Sequence, residues 1–152
     1  QRELQLVADG TDGALAVSTE GSEATLLTSP PKTFLFDFAY SKAFGQEDIF
    51  GDVGQVLVDC SFDGYNSSLF AYGQTGSGKS YTVMGMGLGQ GLVPLCIADI
   101  FERKASLESC AFTPKEITVR VAFVEIYNDH VRDLLDTKGE AVNMQIIDHP
   151  QL

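Results

Sequence analysis

Positive charge is scarce in this chain. Ten Lys and Arg stand against 21 Asp and Glu, a formal net charge of −11 at pH 7. A protein that grips phosphate backbones needs a basic face, so this balance argues against nucleic acid as a partner. Cysteine is thin as well. Cys60, Cys96 and Cys110 make an odd count without paired spacing, which suggests neither a disulfide framework nor a zinc site. Cys60 and Cys96 fall in apolar helical patterns and are expected to be buried as small hydrophobes, in a reduced, cytosolic compartment. No uninterrupted apolar run is long enough to span a bilayer. Gln1-Arg2-Glu3 is polar, with no apolar signal-peptide core behind it and no initiator Met, so an excised piece is expected. The two histidines, His130 and His149, lie far apart, and neither is expected to act as a catalytic base or metal ligand. Repeats and low-complexity tracts are absent too. What remains is ordinary globular usage, 44% hydrophobic and 20% charged over 152 residues, enough for one domain.

Against those absences stands one dense motif. Gly73-Gln74-Thr75-Gly76-Ser77-Gly78-Lys79-Ser80 fits G-x-x-x-x-G-K-[ST], the phosphate-binding P-loop. Leu69-Phe70-Ala71-Tyr72 before it reads as a short buried strand, and Lys79 to Met84 after it as the opening of a helix. Strand, glycine-rich turn and helix is the context the motif requires. Glycines let successive N–H groups point at phosphate oxygens. A helix N-terminus adds partial positive charge at the same place. Lys79 can set a point charge at the β- and γ-phosphates. The Ser80 hydroxyl can take one position on a magnesium ion that otherwise keeps waters and phosphate ligands. The competing reading, a flexible Gly-Ser loop with one exposed lysine, has no use for the flanking strand and helix.

Residues 1–33 read as irregular strands and turns. Leu4 to Val7 and Thr25 to Leu27 are short strands, Asp9-Gly10 and Asp12-Gly13 are turns, and Ser29-Pro30-Pro31 is a turn or extended linker. Phe34 to Tyr40 reads as a strand with Phe34, Phe36 and Phe38 on one face, a sheet core rather than a ligand box. Gln46 to Ser61 is the clearest helix: Ile49, Phe50, Val53, Val56, Leu57 and Cys60 recur at helical spacing, Glu47 and Asp48 suit its first turn, and Gly64 ends it. The alternating glycines from Gly85 to Gly91 read as a flexible surface loop, because a dinucleotide loop needs a preceding strand. Helix resumes at Leu92, with Pro94 tolerated in its first turn. Ile117 to Tyr127 reads as a long strand; its Glu125 could serve as a catalytic carboxylate, but with no partner in sight a structural role is expected. Asn128 or Asp129 then caps a short helix carrying Val131, Leu134 and Leu135, and Val142 to Ile147 is a further strand. This alternation predicts an α/β fold of three layers, with a central mixed sheet between helices.

Three blocks in order resemble the kinesin motor domain. The first is Gly64-Tyr65-Asn66 followed by Phe70 to Gly85. The second is Gly91-Leu92-Val93-Pro94 with Asp99-Ile100-Phe101. The third is Val124-Glu125-Ile126-Tyr127-Asn128 followed by Arg132-Asp133-Leu134-Leu135. P-loop proteins in general share only the first, and a small-molecule kinase has no reason to carry the third. The wording from Thr75 to Thr82 is most similar to cargo-carrying kinesins with an N-terminal motor. The resemblance implies a P-loop NTPase fold and a partial motor domain over residues 1–152, with the P-loop core at 34–152 and a start just after the family's Arg-x-Arg-Pro strand. It implies an ATPase that uses ATP and magnesium to move along microtubules in the cytoplasm, on the cytoskeleton. Tubulin contacts would come from basic segments outside these residues, which fits the acidity. It further implies that Gly73, Gln74, Thr75, Gly76, Ser77, Gly78, Lys79 and Ser80 surround the phosphates, with Ser80 on the magnesium. Tyr81 would face adenine, and Tyr65 would lie nearby at the same pocket, where both could stack on the base; a core tyrosine is the other reading of Tyr65. The Gly85 to Gly91 loop would lie beside that pocket. Family members complete hydrolysis with a Ser-Ser-Arg switch and a strand ending in Asp-x-x-Gly, which support the magnesium and position water. No Ser-Ser-Arg occurs here, and no strand expected here ends in that way. No catalytic residue is therefore assigned, and a nucleotide-binding, non-motile scaffold or truncated pseudo-motor is the alternative function.

Overall fold

The structure, a computed structural model, describes residues 17–26, 29–41, 43–87, 89–110, 116–138 and 144. The chain divides into two units, residues 1–106 and residues 107–152. The expected strands at Leu4 to Val7 and Val142 to Ile147 lie outside the described residues, apart from Met144.

The first unit opens with β1 (Val17–Glu20), β2 (Glu23–Leu26) and β3 (Lys32–Leu35), an antiparallel sheet in chain order. Its register pairs Val17 with Leu26 and Leu26 with Lys32. Thr25 and Thr33 face each other across it with their hydroxyls 2.9 Å apart. The strand expected from Phe34 to Tyr40 is thus paired only at its start. Beyond Leu35 the chain stays tethered by the Phe36 N–H to the Ser22 carbonyl at 2.9 Å and the Ala39 N–H to the Gly21 carbonyl at 3.1 Å. Phe34, Phe36 and Phe38 remain about half exposed rather than forming a sheet core.

The helix expected from Gln46 to Ser61 forms and runs one residue further. It consists of α1 (Gln46–Ile49), one π-helical turn (Phe50–Gly54) and α2 (Gln55–Phe62), with helical backbone at both junctions. Gly64 follows its cap at φ +88°. After the P-loop come α3 (Lys79–Met84), the two-residue strands β4 (Gly85–Met86) and β5 (Gly89–Gln90), and the 17-residue α4 (Leu92–Glu108). Pro94 does sit in the first turn of α4. The expected flexible loop at Gly85 to Gly91 is instead a tight hairpin, because Gly85 and Gly91 let two backbones meet where a Cβ on either would collide with the other. Among the described residues Val58 on α2 and Leu92 at the start of α4 are the buried apolar side chains.

Arg103 clips α4 to α2. Its guanidinium donates to both carboxylate oxygens of Asp99, at 2.8 and 2.9 Å, and to Asp59 at 2.6 Å, while lying 5.6 Å from the centre of the Phe62 ring. These hydrogen bonds, Asp99 first and Asp59 second, push its pKa above the ordinary arginine value. Cys96, half-buried, directs its thiol toward the Gly54 carbonyl at 3.8 Å.

The second unit holds β6 (Val124–Tyr127) and β7 (His130–Asp133), paired antiparallel from Val124 opposite Asp133 to Tyr127 opposite His130. This corrects the helix expected after Asn128. Asn128 and Asp129 both adopt positive φ, +50° and +63°. That is the two-residue turn that folds a chain straight back on itself, and Asn and Asp serve it as readily as a helix cap. Glu125 faces Arg132 across the ladder at 3.9 Å, an exposed pair. The ladder extends through the Leu134 N–H to the Phe123 carbonyl at 2.7 Å; residues 116–123 carry no strand pairing of their own. Every strand pair among the described residues is antiparallel.

Candidate nucleotide site

Residues 73–80 form a tight loop that runs directly into α3. Gly73, Gly76 and Gly78 all take positive φ, at +154°, +83° and +95°. Gly78 is the residue before the helix, and it takes a left-handed backbone that glycine adopts without strain. At Gly73 space matters as well as angle: a Cβ there would meet the Ser77 hydroxyl at 2.5 Å. The turn is closed by the Ser77 N–H donating to the Gln74 carbonyl at 3.2 Å, and the helix begins with the Thr82 N–H on the Gly78 carbonyl at 2.9 Å.

Lys79 folds back over this loop. Its ammonium donates to the Gly73 carbonyl at 2.8 Å and the Gln74 carbonyl at 2.7 Å. An ammonium has three donors, so one remains for an oxygen outside the loop. The loop thus fixes its own charge at the mouth of its own cradle. Ser80, next in sequence and exposed, opens the helix beside it. α3 has only six residues, so its macrodipole is small; the N–H groups and Lys79 carry most of the attraction for an anion. Among the described residues no group of three or more His, Cys, Asp and Glu is placed to hold a metal. A single hydroxyl beside a phosphate cradle suits magnesium, which binds through few protein ligands together with substrate phosphates.

The aromatic candidates are placed differently from one another. Tyr81 follows Ser80 in the first turn of α3 and is 51% exposed. Tyr65 is 70% exposed and borders an open cleft of about 570 Å³ lined also by Ser61, Gly64, Asn66 and Ser67. No residue of the P-loop lines that cleft. The strand expected at Leu69 to Tyr72 carries no pairing, and Phe70 and Tyr72 are 85% and 97% exposed. A buried parallel strand needs a neighbour on each side, and the described residues supply none. The letters Asp-x-x-Gly do occur from Asp48 to Gly51 and from Asp136 to Gly139, but not at a strand end. Asp48 accepts the Gly45 N–H at 2.7 Å at the start of α1, and Asp136 accepts the Lys138 N–H at 2.9 Å in a turn. Gln46 escaped sequence reasoning: its side chain reaches the Tyr81 carbonyl 35 positions away, a contact that no local pattern announces.

A glycine-built cradle, a lysine held over it and a helix leaving it define a P-loop nucleotide-binding protein. The kinesin motor domain model matches residues 8–152. Kinesin-like protein KIF13A of Mus musculus is 40% identical over 131 residues, 81% of this chain and 7% of that protein. Kinesin-like protein KIF1C of Homo sapiens is 35% identical over 156 residues, 93% of this chain and 14% of that protein. Kinesin-like protein KIN-14M of Arabidopsis thaliana is 44% identical over 112 residues, 72% of this chain and 14% of that protein. A solved structure of a fast kinesin superposes with a TM-score of 0.80 at 35% identity, covering 95% of this chain and 41% of that one. The chain belongs to the kinesin motor domain family, and its fold is the α/β fold of P-loop NTPases. It spans only 7–14% of the length of these protein relatives.

Proposed function

We propose that this chain is the ATP-binding part of a microtubule motor, a protein that couples ATP hydrolysis to movement along microtubules in the cytoplasm. The observation that carries the reading is the Lys79 ammonium pinned at 2.8 and 2.7 Å over a glycine cradle, in a chain of the kinesin family. Residues 34–152 make up the P-loop core of the motor domain, and residues 1–33 its irregular leading part. In the complete motor the fold is a three-layer one with a central mixed sheet. The unpaired Leu69 to Tyr72 and the half-exposed Phe34, Phe36 and Phe38 support this, since both present the unsatisfied faces of such a sheet.

Each residue at the loop has a distinct task. The backbone N–H groups of Gly76, Gly78 and Lys79 hold phosphate oxygens, with Gly73, Gln74, Thr75 and Ser77, whose own N–H closes the turn on the Gln74 carbonyl, shaping the loop around them. Lys79 spends two donors on its own loop and its third on a terminal phosphate oxygen. Because the ammonium is already oriented, little side-chain entropy is lost when that oxygen arrives. Ser80 would offer its hydroxyl to a magnesium ion, which would supply positive charge against the phosphates. Tyr81 and, from the cleft beside α2, Tyr65 offer aromatic faces to the base. No water-positioning group is assigned among the described residues, so the contribution proposed for this chain is binding and orientation.

Titration of the protein with a fluorescent ATP analogue tests this reading. Replacing Lys79 by Ala removes a charge-assisted hydrogen bond of about 1.5–3 kcal/mol, so affinity should fall roughly 10- to 150-fold. Equal affinity of the wild-type and Lys79→Ala proteins would sink the P-loop assignment.

A further inference from the structure

The Gln46 side chain donates from Nε2 to the Tyr81 carbonyl at 2.6 Å. The direction of the amide is fixed by chemistry, because a carbonyl only accepts and the nitrogen must face it. Oε1 is then buried, and among the described residues no donor meets it. A buried acceptor left without a donor opposes folding. A methionine of similar length would fill the same space without that cost. What glutamine adds is a grip on one carbonyl.

That carbonyl belongs to a segment that cannot orient itself. α3 has six residues and no side-chain cap at its N-terminus, and its Tyr81 carbonyl also accepts the Gly85 N–H that closes the helix. A helix this short has little stability of its own. Gln46, by contrast, is the first residue of α1, whose start is fixed by the Gly45 N–H on Asp48 at 2.7 Å. The tether therefore runs from the first residue of the continuous helical stretch Gln46 to Phe62 to the six-residue α3, at Tyr81, which is half exposed. Lys79 is held separately, by the carbonyls of its own loop. Phosphate holding and base facing thus have independent supports.

We propose that Gln46 is a positioning residue for the base side of the nucleotide site. Acting through the Tyr81 backbone, it fixes the ring's place relative to the phosphate loop and so sets the preference for a purine nucleotide over a bare polyphosphate. This rests on the reading that Tyr81 faces the base.

Isothermal titration of the intact protein with ATP and with inorganic tripolyphosphate separates the two supports. Gln46→Met should weaken ATP binding about 5- to 10-fold, part of the worth of one stacked base, and leave tripolyphosphate within about twofold. In a Tyr81→Ala background the same substitution should cost ATP nothing further, because the ring it positions is gone. Quenching of a 2-aminopurine riboside triphosphate on binding should weaken in Gln46→Met as it does in Tyr81→Ala. Gln46→Glu, the same shape without the donor at pH 8, should repeat the split and decides the matter should the Met variant not fold. Equal losses for both ligands, an unchanged ATP preference, or additive losses with Tyr81→Ala would overturn the proposal. A wild-type protein that binds tripolyphosphate as tightly as ATP would instead overturn the role of Tyr81, and one that binds neither would overturn the P-loop reading itself.

Discussion

Tyr40 sits between Phe38, stacked at 6.1 Å, and Phe44, edge-on at 5.6 Å, and donates its hydroxyl to Asp52 at 3.1 Å. Burial first, then the hydrogen bond to Asp52 and its charge, push the phenol up to about 12. The folded value lies above the unfolded one, near 10. The contact therefore contributes stability that is fully present below pH 10 and is lost as pH rises through 12. NMR titration of labelled tyrosine should place Tyr40 ionisation near 12, and Asp52→Asn should bring it down; an unmoved midpoint would show that Asp52 has no part in it. Ser80 is argued on the same scale. Ser80→Ala removes one proposed magnesium ligand, so affinity for an ATP analogue should fall at low magnesium and recover as magnesium is raised. Full affinity at low magnesium would remove Ser80 from the metal. Both the lysine and the serine were legible as a spacing of letters, because glycine, lysine and hydroxyl are needed in that order for chemical reasons. Neither Tyr40 with Asp52 nor Gln46 with Tyr81 was, because side chains 12 and 35 positions apart meet only once the helices are in place.

At the scale of elements, helices were easier to read than strands. Spacing located α2 and α4 but not the side chain α2 buries: that is Val58, outside the face read from the sequence, while Val56 on that face is 54% exposed. A strand is defined by its neighbour, and Leu69 to Tyr72 or residues 116–123 can look like strands without acquiring one. The turn at Asn128-Asp129 misled for a different reason: both residue types fit a cap and a reversal alike, and the choice belongs to Val131 and its partner Ile126 across the ladder. The element-level interaction with the largest expected effect is the Arg103 clip. Its side chain is only 27% exposed, and it holds Asp99 within α4 and Asp59 on α2. Arg103→Met should lower stability by about 2 kcal/mol, or about 4–8 °C in Tm, more than an open surface pair would. Asp59→Asn should cost about 0.5 kcal/mol, since only the exposed arm of the clip is weakened. Thermal unfolding followed by circular dichroism checks both; equal effects would mean that the link between helices, not the pair within α4, carries the energy.

On the scale of the whole molecule, binding and turnover should come apart. The parts that hold phosphate are local in sequence: Gly73 to Ser80 and the first turn of α3 need no distant strand to form, and Lys79 is fixed by the loop itself. Hydrolysis asks for more. A water must be positioned and the magnesium supported by an acidic residue. The carboxylates at the two Asp-x-x-Gly spellings are engaged elsewhere, Asp48 in starting α1 and Asp136 in a turn. Of the strand carboxylates in the third family block, Glu125 faces Arg132 across a hairpin and Asp133 accepts the Leu135 N–H at 2.8 Å. The 152-residue chain, assayed by itself, should therefore bind an ATP analogue weakly and release no phosphate above background. Microtubules should not change that, since a chain with a net charge of −11 is repelled by acidic tubulin. It should also self-associate, because Phe70 and Tyr72 in one unit and Ile126 and Tyr127 in the other expose large apolar surface. Sedimentation velocity reads the association, and a phosphate-release assay with and without microtubules, beside a complete kinesin motor domain, reads the turnover. Microtubule-stimulated release by the 152-residue chain would mean that a water-positioning group lies within these residues. The assignment of binding without catalysis to the Gly73 to Ser80 loop and its surroundings would then have to be given up.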